Sequence, residues 1–203
     1  MIPSSYTVQK ISAKIAKEYI HKNHYSKGSH NGPSPNYGLF DNGNLIGVLM
    51  FSTPCSENVR SSLFGPAYKD AVIELHRLHI LDVTPKNTET WFIAKCIKLL
   101  KIDRPETLGI ISFADPTENH SGIIYKASNF LKCGKSSKAM FYKDKDGRLR
   151  HPRQCGVSIT RKMAKERGWE ECPREGKHRF IYLLNKKAKQ LFKLWEIVET
   201  NNV

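Results

Sequence analysis

Polar and apolar residues alternate with a period of two over residues 6–11, and the apolar positions then move to helical spacing over residues 13–22, behind Ser12 as an N-cap. A strand followed by a helix is therefore expected to open the fold. Residues 24–36 follow neither period, because Gly28, Gly32, Pro33 and Pro35 forbid regular structure. Loops of that length inside a compact domain are commonly functional or disordered, and this one carries His24, Tyr25, His30 and Asn31. Residues 37–40 and 45–52 flank Asp41-Asn42-Gly43-Asn44, whose Asn-Gly pair supplies the positive φ angles of a hairpin turn. A further strand is predicted over residues 72–81. Thr88 or Thr90 is expected to cap a helix through residues 91–101 that buries Trp91, Ala94, Cys96, Ile97 and Leu100. Residues 107–113 form an apolar strand ending at Ala114-Asp115-Pro116, residues 121–128 a helix, and residues 131–142 one or two strands. Beyond them the pattern gives a helix at 158–167, a strand at 179–184 and a helix at 187–198.

The order β-α-β-β-β-α-β-α-β implies an α/β fold with a mixed central sheet flanked by helices, and one parallel pair where a helix crosses over between strands. With 203 residues and 39% hydrophobic content, one substantial core is expected. We read residues 1–142 as that core and 143–203 as a basic C-terminal extension packed on it. The longest apolar run, residues 45–51, is far short of the roughly 20 residues of a membrane span, and the N-terminus lacks the apolar stretch of a secretory signal. Five scattered cysteines fit reduced thiols better than a disulfide framework, so a cytoplasmic location without membrane contact is expected.

Charge sharpens this picture once it is located. Residues 131–193 hold 19 of the 33 Lys and Arg and only 6 of the 19 Asp and Glu, which is +13 of the net +14. A basic balance confined to one segment and interleaved with Phe141, Tyr142, Trp169 and Phe180 is the electrostatic footprint of a nucleic-acid surface, or else a solvated basic face.

Ligands of open α/β sheets collect beyond the carboxyl ends of parallel strands, which places Asp115 to accept a proton or orient an amine; equally, Asp115-Pro116-Thr117 can be a turn in which the aspartate caps the next helix. His24, beside Tyr25, is a candidate proton acceptor because a histidine titrates near neutrality. His76, Arg77 and His79 lie on the 72–81 strand, where period two puts Arg77 and His79 on one face with Ile73 and Leu75. An arginine among apolar neighbours requires an anionic partner, either the substrate or Asp115 or Glu74. Asp115-Pro116-Thr117 lacks the glycine-rich loop that would make it a methyltransferase motif. Cys133, His151, Cys155, Cys172 and His178 lack zinc-knuckle spacing.

The strings His24-Tyr25-Ser26-Lys27-Gly28, Asn31-Gly32-Pro33-Ser34-Pro35-Asn36-Tyr37-Gly38-Leu39-Phe40, Glu74-Leu75-His76-Arg77-Leu78, and Ala114-Asp115-Pro116 through His120-Ser121-Gly122-Ile123-Ile124-Tyr125-Lys126-Ala127-Ser128 together resemble the Mom family of phage DNA-modification proteins over roughly residues 6–142. The resemblance implies a GNAT-like, acetyltransferase-like fold and conversion of adenine in double-stranded DNA to N6-carbamoylmethyladenine, which protects phage DNA from host restriction. It places the functional positions on His24, Tyr25, Arg77, Asp115 and Tyr125. The acetyl-CoA that such folds hold on a glycine-rich loop meets Asp82-Val83-Thr84-Pro85-Lys86-Asn87-Thr88 here, without a glycine, so the donor is left open. A metal near His24 and the tyrosines is compatible with the family, although no ligand spacing requires one. The alternatives are a coenzyme A-dependent N-acetyltransferase and a nucleic-acid-binding protein without activity.

Overall fold

A computed structural model describes residues 1–24, 34–118, 120–154 and 157–192. Strand β1 (Tyr6–Lys10) leads into helix α1 (Ala13–Asn23), where the Ser12 hydroxyl accepts the Ile15 amide hydrogen at 3.2 Å and Ala16, Tyr19 and Ile20 form the buried stripe. Strands β2 (Asn36–Asp41) and β3 (Asn44–Ser52) close the expected hairpin, with Asn42 at φ 46° and Gly43 at φ 84°. Helix α2 (Glu57–Phe64) precedes β4 (Val72–Ile80), and α3 (Thr88–Asp103) crosses over to β5 (Gly109–Ala114). The cap of α3 is neither Thr88 nor Thr90: Asn87 holds that position at φ 71°, and both threonine hydroxyls donate backward, to the Pro85 and Asn87 carbonyls.

Short α4 (Ile123–Ala127) and β6 (Leu131–Lys135) come next. The chain then leaves the main sheet to build β7 (Ala139–Lys143), β8 (Leu149–Arg150), β9 (Arg153–Gln154), β10 (Val157–Ser158), α5 (Arg161–Glu166) and β11 (Glu170–Arg174), and returns as β12 (His178–Leu183) before α6 (Lys186–Leu191). The main sheet runs β1-β2-β3-β4-β5-β12-β6 and is antiparallel throughout except between β4 and β5. A second sheet, β11-β7-β8, has a small core of its own: Tyr142, Ile159 and Ala164, flanked by Met140 and Trp169.

This topology corrects the division at residue 142. The boundary falls inside β7, and the basic segment is an excursion that comes back to insert β12 between β5 and β6, with Phe180 and Ile181 fully buried. β12 is paired on both sides, so the segment contributes an interior strand of the main sheet.

Helices cover both faces of the main sheet. On one, Phe92, Ile93, Cys96, Ile97 and Leu100 of α3 pack on Leu49, Phe51, Ile73, Leu75, Ile110 and Phe180. On the other, α1 covers Val48 and Met50, while Leu63, Phe64 and Ala188 cover Val72, Ile111 and Ile181. No described helix is long and apolar enough to cross a membrane.

Two irregularities position the site. The β4–β5 ladder pairs Val72, Ile73 and Glu74 with Gly109, Ile110 and Ile111 and goes no further; the Ser112 hydroxyl donates to the Leu75 carbonyl at 3.0 Å where the ladder ends. Beyond that point β4 pairs only with β3, leaving a fork at the carboxyl end of the one parallel pair. The second irregularity is a bulge in β4. Phe51 faces Leu75 but Met50 faces Arg77, so His76 is the extra residue and the alternation of faces inverts across it. Arg77 and His79 consequently lie on the α1 face with Met50 and Val48, opposite Ile73 and Leu75, which corrects the expectation of strict period two.

Candidate active site

His24 is the residue at which α1 ends; its backbone N–H still bonds to the Ile20 carbonyl at 2.9 Å while its own φ and ψ are extended. This places its imidazole, only 9% exposed, against β4 on the face that the bulge has given to Arg77 and His79. The His24 and His79 rings lie 6.3 Å apart in an edge-on arrangement. Tyr19, one turn earlier on α1, is 3.2 Å from the His79 Nδ1 and donates its hydroxyl hydrogen to the Ile46 carbonyl at 2.8 Å. The bulged His76 has its Nδ1 3.5 Å from a Glu74 carboxylate oxygen, and its carbonyl accepts from an Arg77 guanidinium nitrogen at 2.8 Å.

Burial lowers the His24 imidazole from 6.5 to about 4, and the positive charges of Arg77, His79, His120 and His76 push in the same direction. At neutral pH this leaves a neutral imidazole close to the Arg77 guanidinium. Such a group can accept a proton, and the Arg77 charge favours an anion nearby. Among the described residues no three His, Cys, Asp or Glu side chains converge as metal ligands.

The opposite lip of the fork is the turn after β5. The Asp115 carboxylate, 8% exposed, accepts the Thr117 amide hydrogen at 3.0 Å, and the Asp115 carbonyl accepts from the Glu118 and His120 amides, each at 3.1 Å. The capping reading of Asp115 is the one these bonds show: it caps the turn, and the turn carries His120 toward His24. Arg174 and Lys177, from the strand and turn just ahead of β12, approach the same carboxylate at 3.4 and 3.5 Å, and Arg174 also binds Glu118 at 2.8 Å while lying over the Phe141 ring at 5.0 Å. Burial alone would raise the Asp115 carboxyl, but the Thr117 hydrogen bonds and the charges of Lys177 and Arg174 outweigh it and hold the group below its ordinary value.

The structure thus brings His24, Arg77 and the Asp115 turn around one fork. The Tyr125 ring packs on Phe180 at 5.3 Å and Phe130 at 5.6 Å, on the face covered by α3. Tyr25 and His30 fall outside the described residues. Sequence reasoning misses Arg174 and Lys177, and nothing local to residues 174–177 could reveal a partner 59 positions away in the chain.

The depressed His24 value carries a stability prediction. Between pH 6.5 and about 4 the unfolded chain protonates this imidazole and the folded chain does not, so stability rises with pH across that window and is lost on acidification through it. The loss should be on the order of 2 kcal/mol. Urea unfolding at pH 7 and pH 4.5 should show it for the wild type, with a clearly smaller pH dependence in His24→Gln. Equal pH dependence in the two proteins would mean that the imidazole is not desolvated.

In the loop between β4 and α3 the Thr84 and Thr88 amides are bonded to the Leu81 and Pro85 carbonyls and Pro85 has no N–H, so these three positions offer no donor to a pyrophosphate.

Known proteins resemble this chain in sequence and in fold. A family model for the Mom protein family matches residues 5–198. The chain is 29% identical over 192 residues to the methylcarbamoylase mom of Escherichia phage Mu, covering 90% of this chain and 77% of that protein. Among solved structures it is similar to a spermidine N-acetyltransferase from Vibrio cholerae (TM-score 0.52, 10% identity, 91% of this chain and 96% of that one). It is also similar to an N-acetyltransferase from Staphylococcus aureus (TM-score 0.50, 12% identity, 90% and 100%). At these identities the likeness is one of fold: a mixed sheet flanked by helices, as in the GNAT acetyltransferases.

Proposed function

The chain belongs to the Mom protein family, and we propose that it is a DNA-modifying transferase that converts adenine to N6-carbamoylmethyladenine and so protects phage DNA from restriction. The observation that carries this reading is the neutral, buried His24 beside Arg77 at the fork of the sheet. Support for DNA as the substrate comes from the +13 carried by residues 131–193, part of which is tied to the fork through Arg174 and Lys177.

The exocyclic nitrogen of adenine is a weak nucleophile because its lone pair is delocalised into the ring. It must lose a proton as the new N–C bond forms. In our reading the nitrogen attacks the donor carbon, the donor's leaving group departs with its electron pair, and the N6 proton passes to His24. Arg77 holds the anionic part of the donor or the departing group. Asp115 is a positioning residue: with one oxygen accepting the Thr117 amide and the other facing Arg174 and Lys177, it fixes the turn that carries His120 and anchors those two side chains. Because N6 is paired and stacked in a duplex, the adenine must leave the helix, at a cost of a few kcal/mol that phosphate contacts offset.

The test is protection. Plasmid DNA from bacteria producing the protein should resist a restriction endonuclease whose site contains adenine and should be cut normally by one whose site lacks it. Ordinary cutting by both enzymes, with folded protein present, would rule out the modification.

A further inference from the structure

The edge of the main sheet carries a second basic feature, distinct from the His24 pocket and on the other face. In the β12–β6 pairing His178 faces Lys135, but Phe180 faces Lys132, so β6 has one residue more than its partner over this stretch. Gly134, at φ 82°, supplies the left-handed residue that such a bulge needs. The consequence is geometric. Residues 132 and 135, three apart, would point to opposite faces of a regular strand; the bulge turns both to the face of His178 and Phe180. That face is the one covered by α4, which adds Lys126 in its last turn and packs Tyr125 on Phe180 at 5.3 Å.

Three lysines are thus gathered around one histidine. The His178 Nδ1 is buried with no hydrogen-bond partner. Neither Lys126 nor Lys132 has a carboxylate within ion-pair distance among the described residues. The acidic group near Lys135 is Glu175, already held by Lys138 at 2.7 Å. On its other side His178 pairs with Ala114, so the cluster stands one strand spacing, about 4.8 Å, from the strand end that bears Asp115.

We propose that Lys126, Lys132, Lys135 and His178 form a phosphate site that grips the DNA backbone next to the adenine presented at the fork. The proposal rests on the reading of the protein as a DNA-modifying enzyme and adds to it where the strand is held. A bulge that brings like charges together on one face raises their mutual repulsion, and a phosphodiester relieves it. Burial and the charges of Lys132, Lys135 and Lys126 lower the His178 imidazole; a bound phosphate would reverse the effect of those charges.

The test compares the triple variant K126S/K132S/K135S with K95S/K98S/K101S on α3, which removes the same charge from another surface. Duplex binding is measured by fluorescence anisotropy at several salt concentrations, and His178 titration is followed by NMR with and without duplex. The first variant should lose at least about tenfold in affinity at 0.1 M salt, with its salt slope reduced by about 3, while the control changes much less. Duplex should move the His178 titration to higher pH by about 1. If the two variants bind alike and His178 does not move, the phosphate site is wrong and the enzyme reading stands. If coenzyme A moves His178 and duplex does not, the cluster serves a donor and the inference is overturned. Failure of the wild type to bind duplex at all would overturn the reading beneath it as well.

Discussion

His24→Ala should reduce adenine modification in cells by at least about a hundredfold while leaving the fold and duplex affinity unchanged, because a positioned general base contributes roughly 100- to 10,000-fold. The side chain is at the end of α1, so its truncation removes no helical hydrogen bond; the 2.9 Å bond from the His24 backbone N–H to Ile20 remains. Asp115→Asn provides the contrast. It keeps the shape and an acceptor for the Thr117 amide but removes the charge that Arg174 and Lys177 approach at 3.4 and 3.5 Å. If Asp115 positions the turn rather than taking the proton, Arg174→Ala should reproduce the partial loss seen in Asp115→Asn, and neither should match His24→Ala. A profile of rate against pH separates the roles further: the wild type should hold its rate down to about pH 5 and lose it as His24 protonates near 4. Were Asp115→Asn inactive and His24→Ala active, the assignment of base would have to be reversed.

Gly122→Ala should cost about 3 to 4 kcal/mol, a large share of the 5–15 kcal/mol that holds a domain together. Gly122 sits at φ 78°, where an L side chain is strained, and a Cβ there would come within 2.2 Å of the fully buried Phe180 ring. Neither partner retreats easily, because Phe180 is fully buried in a strand paired on both sides and Gly122 starts α4. The strain should also displace Tyr125 and the turn bearing His120, so modification should fall along with the unfolding midpoint. Chemical denaturation of the purified variant measures the first effect. A loss under 1 kcal/mol would mean that α4 does not sit on Phe180 as described.

How much of the fold is legible in the sequence depends on the range of the interactions involved. The hairpin at Asn42-Gly43, the start of α1 at Ser12 and the crossover from β4 to β5 depend on neighbours a few residues apart, and periodicity reveals them. The bulge at His76 is invisible to periodicity, since both registers of residues 72–80 place apolar side chains inward; only pairing with β3 selects one, and it moves Arg77 to the face where His24 lies. The second sheet escapes detection because its strands are short and heavily charged, Glu170–Arg174 showing no alternation to find. The return of the chain as β12 is equally hidden. The pattern supplies an apolar strand but not its place between β5 and β6, and the basic composition around it suggests an appendage. His24, Arg77 and Asp115 stand out in the sequence as single residues with suitable chemistry. Their gathering at one fork, and the tie from Asp115 to Arg174, are properties of the tertiary structure.

The central claim is a covalent change to adenine made with His24 as the proton acceptor, and one measurement addresses it directly. Plasmid DNA from bacteria producing the wild type or His24→Ala is digested to nucleosides and examined by mass spectrometry. A deoxyadenosine carrying an added C2H3NO is expected from the wild type and almost none from the variant. Unmodified deoxyadenosine from cells containing folded wild-type protein, or an equal adduct from both proteins, would contradict the claim.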